Sequence, residues 1–126
     1  MFFQGLRQKV LTKPLKNGKM LNEKNINETV IDIEIGDIFN KTGIKVIPFN
    51  EYFDTIIDDV IISKNSLNGK FINKIINEEN VDLKEFDKKI KNKLLDKEIS
   101  LNYNRKKGKE IKYKLGTLYE YKDYFL

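Results

Sequence analysis

The side chains of this chain that could do chemistry are carboxylates, amides, hydroxyls and lysines, because its 126 residues include neither Cys nor His. That absence excludes disulfides, zinc sites of the Cys/His kind, Cys nucleophiles and His general bases. Three short stretches gather the remaining donors and acceptors. In GDIF (36–39), Asp37 is a short acceptor on a turn. It could accept from an exocyclic amine such as that of adenine, with Ile38 and Phe39 packed on the base, or simply close an Asx-turn. In NEYFDT (50–55), Asn50 is a neutral donor and acceptor at the end of a strand-like segment. It suits a ribose hydroxyl and equally suits a loop cap. Asp54, together with Asp58 and Asp59, could hold a hard cation such as Mg²⁺, although three acids on one surface loop are more often solvated. Tyr52 and Phe53 could stack on a nucleoside or plug the core. In SLNGK (66–70), Ser66, Leu67, Asn68 and Gly69 precede Lys70 at what reads as a helix start. Unpaired N–H groups and a partial positive charge there would accept a phosphate. A Ser-capped helix with no ligand is the plainer alternative.

These stretches need elements to hold them. TVIDIEIG (29–36) alternates Val30, Asp32 and Glu34 with Ile31, Ile33 and Ile35, which predicts a strand with one buried face. KVIPF (45–49) reads as a second strand with Pro48 near its end. Leu67, Phe71, Ile72, Ile75 and Ile76 form a helical face over 66–80, with Ser66 as N-cap. Asp82 opens a D-x-x-E capping box for a second helix over 83–97, striped by Leu83, Phe86, Ile90 and Leu94. NRKKGKE (104–110) is a basic turn, EIKYKLGTLYEY (110–121) is again β-like, and Lys122-Asp123 turns the chain into YFL (124–126). The order β, β, α, α, β, β argues for an α/β or α+β fold. Residues 1–27, with Pro14 and Gly18, read as a basic N-terminal tail or linker.

The chain length suits one domain. Charged residues make up 34% and hydrophobic ones 40%, a globular rather than a disordered composition. No apolar run reaches the roughly 18–20 residues of a membrane span, and MFFQGLRQKV is no signal peptide, so a cytoplasmic location is expected. The net charge of +5 comes from 24 Lys and Arg against 19 Asp and Glu. Such a surface attracts polyanions. It supports an alternative reading as a small basic nucleic-acid-binding protein, with Lys64, Lys70, Lys74 and RKKGK (105–109) on phosphates and Tyr103 and Tyr113 stacking.

Taken in order, GDIF (36–39), KVIPFNEYFDT (45–55), DD and IIS (58–63), NSLNGKFI (65–72) and KYKLGTLYEYKDYFL (112–126) resemble the macro-like domain of Thoeris antiphage-defence effectors. The resemblance covers residues 28–126. It implies a partial macro-like three-layer α/β/α fold with a mixed sheet. It also implies a ligand that is ADP-ribose or a related NAD-derived nucleotide, produced as a signal by a TIR-domain partner. No further cofactor or metal is implied. Asp37 and Ile38 match the residues that face adenine, Asn50 the Asn near the distal ribose, and Ser66 to Lys70 the first diphosphate loop. Asp54 joins the ligand-facing set within NEYFDT. No residue is marked as a water activator, so binding is expected rather than hydrolysis. Some family members carry a membrane segment upstream of the domain, which is absent here. A whole macro domain continues past YFL to a second Gly-rich loop, so the chain reads as the N-terminal part of one, whether truncated, completed by another polypeptide or degenerate. Exposed sheet edges in 112–126 would then favour self-association.

Overall fold

The computed structural model describes residues 20–126, with side-chain environments from residue 27 onward. The chain divides into two compact units, with the boundary between Thr42 and Gly43.

In the first unit, β1 (Met20–Ile26) and β2 (Thr29–Glu34) form an antiparallel hairpin. Its two connecting residues, Asn27 and Glu28, both have positive φ (48° and 66°). A two-residue hairpin turn of this hand requires that conformation, which Asn tolerates more readily than Glu. Residues 20–26 therefore form a strand, although the sequence reading placed them in a tail. The remainder of that expectation, residues 1–19, lies outside the described residues. β2 forms where the alternation predicts it, but without a buried face. Val30 and Ile31 point to opposite faces and are 55% and 41% exposed. Among the described residues these two strands pair only with each other, and such a pair cannot cover either face. A 3₁₀ turn over Ile38–Asn40 follows, with Asp37 as its cap.

The second unit is built on a mixed sheet of β3 (Lys45–Val46), β6 (Glu120–Tyr121) and β7 (Tyr124–Phe125), in the order β3-β7-β6. β7 runs parallel to β3 and antiparallel to β6. Its backbone is engaged on both sides. The amides of Lys45 and Ile47 donate to the carbonyls of Asp123 and Phe125, both at 2.8 Å, and Tyr119 and Leu126 exchange bonds of 3.0 and 2.9 Å. The C-terminal segment is thus the centre of the sheet, and β3 and β6 are its edges. Of the stretch 112–126, expected to expose sheet edges, YFL is thus interior to this sheet, whereas β6 (Glu120–Tyr121) is an edge among the described residues. The carbonyl-lined turn at Gly43 and the carboxylate of Asp123 hold the buried ammonium of Lys45, which also lies 5.2 Å from the Tyr124 ring.

Helices α1 (Leu67–Asn77) and α2 (Leu83–Lys93) supply the apolar stripes that cover this sheet. Phe71, Ile72 and Ile75 of α1 and Phe86 and Ile90 of α2 are buried. The ring of Phe71 is 4.9 Å from Tyr124 and 6.1 Å from both Phe49 and Tyr121, and Phe86 meets Tyr121 at 5.2 Å. α1 ends in a reversal through Asn80 (φ 52°), where the amide of Val81 donates to the carbonyl of Ile75 at 3.0 Å. α2 stops at Lys93, short of the predicted 97, and tightens into a 3₁₀ turn over Leu95–Lys97. A second small sheet pairs β4 (Glu98–Leu101) antiparallel with β5 (Ile111–Tyr113). The result is a mixed α/β arrangement, as the element order implied. Among the described residues, no helix is long and apolar enough to cross a membrane.

Candidate functional site

A pocket of about 230 Å³ opens beyond the ends of β3 and β7, lined by Ile47 to Glu51 after the one and by Leu126 after the other. Because these two strands are parallel, their carboxyl ends coincide. That is where open α/β sheets hold ligands. Ile47, Phe53 and Leu126 form its buried apolar part, and the exposed side chains of Val46, Leu115 and Leu118 surround the mouth. The turn Lys114–Thr117 forms one wall. The amide of Thr117 donates to the carbonyl of Lys114 at 3.1 Å, and Gly116 has φ +81°, the conformation that the third position of such a turn demands. The volume is below the roughly 300–1,000 Å³ of a complete small-molecule site.

Of the residues singled out in the second unit, Asn50 lines this pocket. Its carbonyl oxygen accepts from the amides of Tyr52 (3.0 Å) and Asp54 (3.3 Å), so it does cap the loop. Its amide donates to Asp54 Oδ2 at 2.9 Å. Asp54 is fully buried and faces a different set of groups from those expected. The guanidinium of Arg105 forks onto it, Nη1 to Oδ1 at 3.0 Å and Nη2 to Oδ2 at 2.6 Å, and the amide of Lys109 adds a bond of 2.8 Å. Burial opposes ionisation of Asp54. The bonds from Arg105, Lys109 and Asn50, with the charge of Arg105, outweigh it and hold the carboxyl below its ordinary value. The same pair raises the Arg105 guanidinium. The network continues from Lys109 Nζ to Asp87 (2.6 Å), which also accepts from the Thr55 hydroxyl at 2.9 Å. Arg105 lies 4.0 Å over the Tyr52 ring. Gly108 (φ +86°) makes the closure possible, since a Cβ there would sit 2.6 Å from both Arg105 Nη1 and Asp54 Oδ1.

Asp54 is therefore an internal anchor and no cation ligand in this arrangement. Asp58 is turned to its own backbone, accepting from Val60 (2.9 Å) and Ile61 (2.7 Å), and those bonds lower its carboxyl from the ordinary value. Among the described residues no group of three or more acids is placed to hold a metal. Phe53 is buried against Phe49 and Tyr113, at 5.8 and 5.5 Å, and belongs to the core.

The helix start is built as predicted and packed more tightly. Ser66 Oγ accepts from the amide of Gly69 at 3.0 Å and donates to the carbonyl of Ser63 at 2.7 Å. Gly69 is buried, and a Cβ on it would lie 2.2 Å from that Ser63 oxygen. Its bare face meets the chain's own backbone. Lys70 is exposed, and Leu67 and Asn68 are half-buried. The amides of Leu67 and Asn68 are the first-turn donors without a partner among the described residues. The buried side-chain oxygen of Asn68 also has no partner among them. In the first unit, Asp37 accepts from the amide of Phe39 at 3.0 Å, the Asx-turn arrangement, and Ile38 is half-buried.

The basic run reads differently in three dimensions. Arg105, Lys107 and Lys109 each pair with an acid, Asp54, Asp58 and Asp87. Lys64 and Lys74 pair with Asp59 and Glu78. Tyr113 is buried and unavailable for stacking, whereas Tyr103 is exposed. The sequence reading missed Arg105 and Lys109 as partners of Asp54 and missed the Lys114–Thr117 wall. Gly108 and Gly116 were the available signals, each marking a backbone bend beside a polar loop.

Comparison with known proteins places these stretches within one matched family range. Residues 31–126 match the family described as Thoeris protein ThsA, Macro domain. The Thoeris protein ThsA of Bacillus amyloliquefaciens (strain Y2) is 41% identical over 108 residues, covering 81% of this chain and 35% of that protein. The chain thus spans about a third of the relative's length.

Proposed function

The chain belongs to the macro-domain family of Thoeris protein ThsA, and from that premise we propose that it binds ADP-ribose or a related NAD-derived nucleotide as the sensing part of an antiphage-defence effector. The signal comes from a TIR-domain partner, and the module acts in the cytoplasm by binding and without chemistry of its own. The observation that carries this reading is the pocket at the joint carboxyl ends of β3 and β7, with Asn50 on its wall. In this reading Asn50 donates to a ribose oxygen. The diphosphate meets the helix start, where the open amides of Leu67 and Asn68 and the ammonium of Lys70 supply positive potential. Ser66 and Gly69 support the phosphate loop from within, one as cap and the other as a close-packing point.

Calorimetry of the full chain at low and high salt tests the reading. ADP-ribose should bind with little dependence on salt. Affinity for a short single-stranded oligonucleotide should be weak and fall steeply with salt, because phosphate-backbone binding releases counterions. Asn50→Ala should weaken ADP-ribose binding by roughly 5- to 10-fold, the equivalent of one neutral hydrogen bond. Oligonucleotide binding with a steep salt slope and no response to ADP-ribose would replace the sensor reading with the nucleic-acid one.

A further inference from the structure

Arg105 is absent from the pocket wall, yet two hydrogen bonds in series connect it to that wall. Its guanidinium holds Asp54, and Asp54 holds the amide of Asn50. A side-chain amide has a donor end and an acceptor end, and only its surroundings decide which way it faces. Here both ends are specified. The carbonyl oxygen is occupied by the amides of Tyr52 and Asp54. An ionised carboxylate accepts only, so the group facing it has to be the NH₂. One N–H of Asn50 goes to Asp54, and the other has no partner among the described residues.

We infer that Arg105 is a positioning residue for the ligand site. Through Asp54 it locks the Asn50 amide in a single orientation, so that Asn50 meets the ligand as a donor and selects an acceptor oxygen, a hydroxyl or phosphoryl oxygen, over an amine. The inference rests on the pocket beside Asn50 being the ligand site. The fork explains why Arg rather than Lys suits the position. Two parallel bonds fix the carboxylate plane, which one ammonium would leave free to turn. The close approach at Gly108 serves the same end, since any side chain there would press on Arg105 and Asp54 together.

The test is solution NMR of the full ¹⁵N-labelled chain, with the Asn50 side-chain amide assigned by its disappearance in Asn50→Asp. In the unmodified chain its two protons should be well separated and exchange with solvent at least about tenfold more slowly than those of an exposed Asn. In Arg105→Lys, with the backbone spectrum otherwise retained, they should move to exposed-Asn values. ADP-ribose affinity should fall about tenfold in Arg105→Lys, as in Asn50→Ala, and the double variant should be no weaker than Asn50→Ala alone. A freely averaged Asn50 amide in the unmodified chain, an unchanged one in Arg105→Lys, or additive losses of affinity would each overturn the inference. Should Arg105→Lys fail to fold, Gly108→Ala, which crowds the fork without removing a charge, should give the same release of the amide, and an unaltered signal there would count against it. If the unmodified chain does not bind ADP-ribose, the functional reading fails, while the amide signals still decide whether Arg105 positions Asn50.

Discussion

The loop at 50–55 and the helix start at 66–70 look alike in sequence, short polar stretches beside strand or helix, yet they are held together by opposite means. In the first, a fully buried carboxylate has drawn a guanidinium, a backbone amide and a side-chain amide around it, two of them from a loop on the far side of the sequence. In the second, one serine hydroxyl satisfies one amide, and a glycine lets two backbones touch. The difference follows from what is buried. A charge taken out of water needs several partners or it destabilises the fold. A helix end needs a single cap and leaves its other donors at the surface. Polar residues in the first loop are therefore spent internally, apart from one N–H of Asn50, whereas the helix start keeps donors available.

This contrast predicts an order of effects. Arg105→Ala should be the most damaging, because it leaves Asp54 buried without its main partner. Breaking a buried pair from one side costs roughly 3–5 kcal/mol, which would appear as a large drop in the urea midpoint at unchanged slope. A loss below about 1 kcal/mol would place the pair with ordinary surface ion pairs. Gly69→Ala comes next. Its methyl would meet the Ser63 carbonyl, so α1 must shift, at a cost of roughly 1–3 kcal/mol for overpacking. A variant of wild-type stability would show that 63–64 can give way.

Acid titration separates the loops again. The Asp54 carboxyl is depressed in the folded chain, so below the unfolded carboxylate value of about 3.9 the unfolded state binds the proton first. The stabilisation from this network is complete above that pH and should be lost as pH falls from about 4 toward the lower folded value. Asp54→Asn should remove that part of the acid sensitivity, and a retained acid transition would assign it to other carboxylates. The smallest effect belongs to Ser66→Ala, about 1 kcal/mol for a lost N-cap, with the fold intact. A loss several times larger would mean that Ser66 also holds the turn at Ser63 through its donated bond.

Local physics was legible in the sequence. Ser66 and Asp82 announced both helices, and the 3.6-residue spacing of Phe71, Ile75, Phe86 and Ile90 announced their buried faces. Strand alternation at 29–36 was legible as a strand but not as an exposed one, because burial depends on what packs against it. Contacts distant along the chain were hidden. The pairing of β3 with β7 joins residues such as Lys45 and Asp123, 78 positions apart, and so placed the C-terminal strand in the sheet centre and created the pocket. Asp54 and Arg105 are 51 positions apart, so an acid read as ligand-facing and a base read as part of a phosphate-binding run were in fact each other's partners. Resemblance to a family supplied the order of the site stretches, and the fold decided which of their side chains remain open.

The measurement closest to the central claim, that Asn50 and its pocket receive an NAD-derived nucleotide, is calorimetric titration of ADP-ribose into the full chain and into Asn50→Ala. Removing Asn50 removes a donor to the ligand and relaxes one of the bonds to Asp54, so each protein is first checked for cooperative unfolding. The account predicts saturable binding to the unmodified chain and an affinity lower by roughly 5- to 10-fold in the folded variant, as for one lost neutral hydrogen bond of about 1–1.4 kcal/mol. Equal affinity in both proteins, or no heat of binding in either, would contradict it.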